Sequence, residues 1–227
     1  MQPNPYKNHL NAQKLHQVYQ TKHPEVKAYL DAEIAFVKDR LHRTDHILEL
    51  GAGYGRIMKE LAPVCESIIG IDISEDNVVF GREYLHDVTN TKLVVMDAHN
   101  IEPEVIGAPL DAVLCLQNGL SAMKVEPFSF IQQIMELLSP NGTAFISTYS
   151  AKFWEFRVKW FLEQAEKGLL GEVDLEQTKD GVIVCKDGFR AVTHSPEELD
   201  EIGKVSGYPY EVLEVEESSV FLVVRKG

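Results

Sequence analysis

Three glycines at alternate positions, Gly51, Gly53 and Gly55, follow an apolar run in "ILELGAGYGRI". A glycine-rich turn of this kind lets the backbone approach a ligand closely. The spacing narrows what that ligand is. A triphosphate-binding loop needs G-x-x-x-x-G-K-[ST], which is absent. A dinucleotide loop needs G-x-G-x-x-G, and counted from Gly51 its third glycine falls on Arg56. Glu49 stands two residues before the first glycine. An acid there suits a ligand with a positive group better than a pyrophosphate, which wants N–H donors at a helix N-terminus. Two more acids close apolar runs, Asp72 after "SIIGI" and Asp97 after "KLVVM". The first can accept from the vicinal hydroxyls of a ribose, the second from an exocyclic amine such as that of adenine. Together these residues describe a site for an adenosyl group beside a positive charge.

Such acids converge only if the elements carrying them lie side by side. Val26, Leu30, Ile34, Val37 and Leu41 form a helical stripe behind Pro24. "HILEL" (46–50), "SIIGIDI" (67–73), "KLVVMDA" (92–98), "DAVLCLQ" (111–117) and "TAFISTY" (143–149) read as strands. "GRIMKELAPVC" (55–65), a segment capped by Ser74 with Glu75 and Asp76 in its first turn, and "FSFIQQIMELLSPNG" read as helices between them. In the last of these, Asn141-Gly142 is the expected C-terminal stop. Strands that are apolar throughout and alternate with helices predict an α/β, doubly wound, mostly parallel sheet. "YEVLEVEESSVFLVVRKG" has no room for a helix and predicts an antiparallel hairpin at the sheet's end. Before it, "SPEELDEIGKVSGY" opens with a capping box, Ser195 and Glu198.

"ELGAGYGRI", Asp72, Asp97 and "LLSPNGTAFIS" together resemble the class I S-adenosylmethionine-dependent methyltransferases, over about residues 25–150 and the terminal hairpin. The resemblance implies seven strands in the order 3-2-1-4-5-7-6, the seventh antiparallel. It implies S-adenosyl-L-methionine as cofactor. It also implies roles: Gly51, Gly53 and Gly55 passing the methionine part with Glu49 nearby, Asp72 and Ile73 at the ribose, Asp97 and Ala98 at the adenine. Leu116, Gln117 and Asn118 would line the methyl-transfer cleft. The helix before the last hairpin looks like that of the family's small-molecule branch.

The acceptor is less explicit. The whole chain, 1–227, reads as one domain, with an N-terminal cap segment (1–23) and a small antiparallel and helical lid insertion (150–194). Phe153, Phe156 and Trp160 mark one face of the insertion's helix, and Trp154, Val158 and Phe161 the adjacent one. Two Asp-Gly pairs, Asp180-Gly181 and Asp187-Gly188, then predict a small antiparallel meander. Tyr6, Tyr19, Asn118, Trp154 and Arg157 are the expected acceptor-side residues. Methyl transfer from a sulfonium is an in-line displacement that needs alignment and exclusion of water more than a triad. If the acceptor must lose a proton, Tyr149 and His194 are the candidate bases; His99 could pack on the adenine. His9, His16 and His23 recur every seven residues, about 10 Å of helix rise, too far to share an ion, so no metal is expected.

A net charge of −13, from 22 basic and 35 acidic residues, repels polyanions. "LQNGLSAM" after the fourth strand lacks the proline-rich motif of amino methyltransferases for nucleic-acid bases. Neither a nucleic acid nor a membrane is therefore an expected partner; a homodimer is allowed. Cys65, Cys115 and Cys185 are far apart with no C-x-x-C, which reads as reduced thiols of a cytoplasmic protein. The polar N-terminus does not read as a signal peptide. The expectation is methyl transfer to N or O of a small molecule. The rivals are a non-catalytic cofactor-binding partner subunit and a nicotinamide-dependent oxidoreductase, the second disfavoured by Arg56.

Overall fold

A computed structural model describes residues 12–227. Its main sheet has the order β3-β2-β1-β4-β5-β9-β8. The strands are β1 (His46–Leu50), β2 (Ser67–Asp72), β3 (Thr91–Val95), β4 (Leu110–Cys115), β5 (Leu138–Tyr149), β8 (Tyr210–Val215) and β9 (Ser219–Arg225). The first five are parallel, and β9 runs antiparallel to β5 and β8. This is the expected topology, with β8 and β9 as its sixth and seventh strands. The remaining two strands, β6 (Val182–Val184) and β7 (Arg190–Val192), form a separate antiparallel pair in the insertion.

Both faces of the sheet's centre are covered, which is why β1, β4 and β9 are apolar almost without alternation, whereas the edge strands β3 and β8 carry Lys92, Glu211 and Glu214. Leu48 and Leu50 of β1, Val113 and Cys115 of β4 and Leu222 of β9 pack in one core with α7 (Pro127–Leu137) and α9 (Pro196–Ser206). Ile47, Leu114, Phe145 and Phe221 pack in the opposite core with α2 (Pro24–Lys38) and α3 (Arg56–Leu61). The caps form as expected. Ser74 accepts the Asn77 N–H at the start of α4 (Glu75–Tyr84), and Ser195 and Glu198 close a reciprocal capping box.

Among the boundaries that differ from the sequence reading, three bear on the sheet and the site. The helix over "FSFIQQIMELL" ends at Leu137, and Leu138 is already extended and pairs with Leu110. Leu138 is drawn out of the helix by this pairing, and Pro140 keeps Ser139 before it out of the helical region as well; Asn141-Gly142 therefore lies in β5 and is not a helix stop. The third strand ends at Val95, so Asp97 sits two residues beyond it, in a turn. The fourth ends at Cys115, and Gln117 and Asn118 take φ values of 54° and 62°.

The insertion folds as α8 (Trp154–Glu166), followed by the β6–β7 pair. The two helix faces separate as expected. Phe153, Phe156 and Trp160 pack with Val18 and Tyr29, whereas Trp154, Val158 and Phe161 pack with Ile183 and Phe189. Helix α1 (Ala12–Tyr19) is tied to α8 by the Trp160 indole N–H, which donates to the Val18 carbonyl at 3.0 Å. No helix among the described residues is long and apolar enough to cross a membrane.

Candidate active site

A cleft runs along the carboxyl ends of β1, β2 and β4, the place where open α/β sheets take ligands. Glu49, Gly51, Gly53, Asp72, Ile73, Asp97, Ala98, Leu116 and Gln117 all line it. Gly55 does not; at φ 84° it caps α3 just behind the wall. The loop needs its glycines. Gly53 has φ 57°, and a Cβ there would stand 2.7 Å from Leu15 Cδ2 of α1. Gly51 has φ 66°, and its Cβ would press on Met123 Sδ at 3.3 Å.

Asp72 is the pivot of the loop. One carboxylate oxygen accepts the Gly53 N–H at 2.9 Å; the other accepts from Ser74 N–H (2.8 Å) and Asn77 Nδ2 (3.1 Å). Burial raises its pKa, against the pull of these three bonds. An ionised carboxylate has about four acceptor positions, so acceptor capacity is left on the side facing the cleft. Asp97 is engaged locally, accepting from the His99 N–H at 3.0 Å and meeting His99 Nδ1 at 2.7 Å. His99 lines the cleft beside it.

Two side chains stand out by what they lack. Glu49 is buried, and its Oε2 has no hydrogen-bond partner. Burial pushes its pKa up to about 8, against the nearby Arg56 guanidinium, which lowers it. Arg56 Nε and Nη2 are likewise buried without partners, with the guanidinium 4.6 Å above the Tyr19 ring. Buried polar groups are normally satisfied. An orphaned carboxylate and an orphaned guanidinium on one wall call for a ligand with an ammonium and a carboxylate close together. That is the amino-acid end of S-adenosyl-L-methionine, so these residues fit that cofactor. In the sequence Arg56 registered only as a missing glycine; its place directly after G-x-G-x-G was the signal.

The other expected residues are scattered. Tyr19 lines the cleft, but beside Arg56. Asn118 lies in a smaller cavity next door, with its amide donating to the Val192 carbonyl at 2.8 Å and its oxygen accepting from Thr148. Arg157 lines that cavity too. Trp154 lines neither cavity and packs in the insertion's own core. Tyr149 lines both. His194 lines neither, and its Nδ1 lies 3.6 Å from Glu198 at the start of α9. Tyr6 lies outside the described residues. Glu33, absent from the sequence reading, is fully buried beneath the cleft, where its Oε2 accepts the Gln117 N–H at 3.1 Å.

Known proteins can now be set beside this geometry. Residues 47–142 match the family model described as "Methyltransferase domain". A ribosomal RNA small subunit methyltransferase A from Clostridioides difficile (strain 630) is 29% identical over 63 residues, 28% of this chain. The chain spans only 22% of that relative's length. Among solved structures, DhpI in complex with SAH superposes with a TM-score of 0.65 at 18% identity, over 95% of this chain and 93% of that one. The CcbJ methyltransferase from Streptomyces caelestis gives 0.60 at 19% identity, over 86% and 94%. At such identities the superpositions speak for the fold, and the family match speaks for its central strands. Residues 47–142, which carry the glycine loop, Asp72 and Asp97, are similar to the methyltransferase domain family, and the chain has the fold of those solved structures.

Proposed function

We propose that this chain transfers a methyl group from S-adenosyl-L-methionine to N or O of a small-molecule acceptor. The observation that carries the reading is the pair of orphaned groups, Glu49 Oε2 and the Arg56 guanidinium, on the wall that Asp72 also lines. When bound, the cofactor supplies a methyl group activated by its sulfonium charge. The chain's own residues bind, orient and exclude water. Glu49 and Arg56 hold the amino-acid end, and Asp72 the ribose. Gly51 and Gly53 let the backbone approach between them.

The acceptor side is roofed by Leu15, Val18 and Tyr19 of α1 and by Trp160, Phe161 and Gln164 of α8. A roofed cleft favours a small acceptor over a duplex or a folded RNA, and the net charge of −13 favours the same choice. Tyr149 stands where an acceptor would meet the cleft. Burial pushes its hydroxyl up to about 12, only partly offset by Arg157, so it stays protonated and has a proton to offer an acceptor. Its role in this reading is positioning; the acceptor atom brings its own lone pair.

Thermal melting with S-adenosylmethionine, S-adenosylhomocysteine and NADH tests the binding half. Stabilisation by NADH alone overturns the reading. Release of S-adenosylhomocysteine across panels of small amines, small hydroxyl and acidic compounds, and RNA tests the rest. Turnover confined to RNA would refute the small-molecule assignment.

A further inference from the structure

Past Gln117 and Tyr149 the cleft adjoins a second cavity of about 30 Å3, above the 10–15 Å3 or so that one water needs. Three of its ten lining residues are cationic, Lys124, Arg157 and Arg190, and none is acidic. The chain as a whole has 22 basic residues to 35 acidic ones, so a wall of one positive sign runs against its composition. Lys124 and Arg190 are exposed at the rim and form no ion pair among the described residues. Arg157 is fully buried at the back, donating to the Gly181 and Ala191 carbonyls and to Thr193, with its guanidinium 4.4 Å above the Tyr149 ring.

The remaining polar groups also offer donors. Gln117 Nε2 is buried without a partner on the wall shared by the two cavities. The Tyr149 hydroxyl is protonated. The Asn118 oxygen is already taken by Thr148, and the Ser121 hydroxyl accepts from the Val192 N–H at 3.1 Å. The walls are also held in place. Asn118 and Ser121 stitch the turn after β4 to β7 through Val192, and Gln117, Asn118 and Lys124 hold left-handed φ values of 54°, 62° and 57°. Non-glycine residues in this conformation persist where the surroundings over-determine them, often at ligand sites.

A fixed cavity that offers donors and positive charge is built for an acceptor-rich anion. We propose that it seats the anionic group, a carboxylate or a phosphoryl group, of the methyl acceptor, with the accepting atom reaching past Gln117 and Tyr149 into the cofactor cleft. This rests on the methyl-transfer reading above.

The test is calorimetric titration of the chain saturated with S-adenosylhomocysteine, using inorganic phosphate, methylphosphonate, acetate and methylammonium as probes. At least one anion should bind and methylammonium should not. Phosphate and methylphosphonate binding over acetate, or the reverse, distinguishes the two sources. Lys124→Gln and Arg190→Gln, both at exposed positions, should each weaken the anion about tenfold or more and leave S-adenosylhomocysteine affinity unchanged. Anion binding that both variants retain in full overturns the inference, as does binding of methylammonium alone. S-adenosylhomocysteine binding with no anion binding refutes this inference and leaves the cofactor assignment intact. Failure of S-adenosylhomocysteine to bind refutes that assignment instead, and the same variants then judge the cavity in the free protein.

Discussion

Glu33 and Gln117 are joined beneath the cleft: the buried carboxylate of one accepts the backbone N–H of the other at 3.1 Å. The bond, shared with the Ser147 hydroxyl at 2.8 Å, holds the left-handed turn that carries Gln117 to the cleft wall. Burial pushes the Glu33 pKa from 4.5 to about 7, although hydrogen bonds from Ser147 and Gln117 oppose it. A raised carboxyl binds more protons folded than unfolded. Stability is therefore fullest below about 4.5 and is lost as pH rises through about 7, by about 3 kcal/mol. Glu33→Gln keeps an acceptor and removes the titration. Its melting temperature should be flatter than that of the parent chain between pH 5 and 8, and higher at pH 8. Parallel profiles for the two proteins would refute this.

Glu49 should make cofactor binding release a proton. Its pKa of about 8 in the free cleft leaves the carboxyl mostly protonated at pH 7. An ammonium beside it favours the carboxylate. Calorimetry of S-adenosylhomocysteine binding at pH 7, in two buffers of different ionisation enthalpy, should show release of close to one proton. Glu49→Gln should abolish the buffer dependence and weaken binding roughly 10- to 100-fold. A binding enthalpy independent of buffer in the parent chain would count against the assignment of the ammonium to Glu49.

Much of this was legible because buried parallel strands are uninterrupted apolar runs, and "HILEL" matches β1 residue for residue. The strand order came through resemblance, since spacing alone does not order a sheet. Errors fell where pairing overrides local signals. Leu138 leaves the helix to join Leu110 despite the apolar run it continues. Asp97 passes the strand end because Val95 is the last residue to pair with β2. Glu33 stands three residues after Leu30 and four before Val37, on the same buried stripe. That periodicity is visible in the sequence, but the apolar stripe Val26, Leu30, Ile34, Val37 and Leu41 does not single out an acid lying on it. Which acceptor-side residues converge was not legible, because β7 meets the turn after β4 through long-range hydrogen bonds such as Asn118 to Val192, and Arg157 of α8 reaches β7 in the same way through Ala191.

Gly53 should tolerate no side chain. Alanine at φ 57° costs about 1–2 kcal/mol, and its Cβ would push the flexible end of Leu15 out of the way. Gly53→Ala should lower the melting temperature by about 5 °C. The Gly53 N–H to Asp72 bond would be displaced with the loop, so S-adenosylhomocysteine affinity should fall about tenfold. Circular dichroism melts and calorimetry measure the two effects, and unchanged affinity would show that the loop does not approach the ligand.

Glu163 should govern how fast the cofactor leaves. Its buried carboxylate accepts from the Thr21 hydroxyl at 2.5 Å and the Lys22 N–H at 3.0 Å, and it pairs with Lys167 at 2.9 Å. These contacts fasten the end of α1 to α8, and both helices roof the cleft. Burial works to raise the pKa of Glu163, but those partners outweigh it and hold it below 4.5. A lowered carboxyl contributes stability above about 4.5 and loses it as pH falls through the folded pKa. Glu163→Gln removes the charge while leaving every cleft-lining side chain in place. Roof opening commonly limits ligand release, so at pH 7 S-adenosylhomocysteine should dissociate about tenfold faster from the variant, with the association rate changed much less. The gap in melting temperature between parent and variant should narrow as pH falls below 4.5 and the carboxylate of the parent takes up its proton. Stopped-flow displacement at pH 7 decides the matter: an unchanged dissociation rate would mean that this tie does not control the roof.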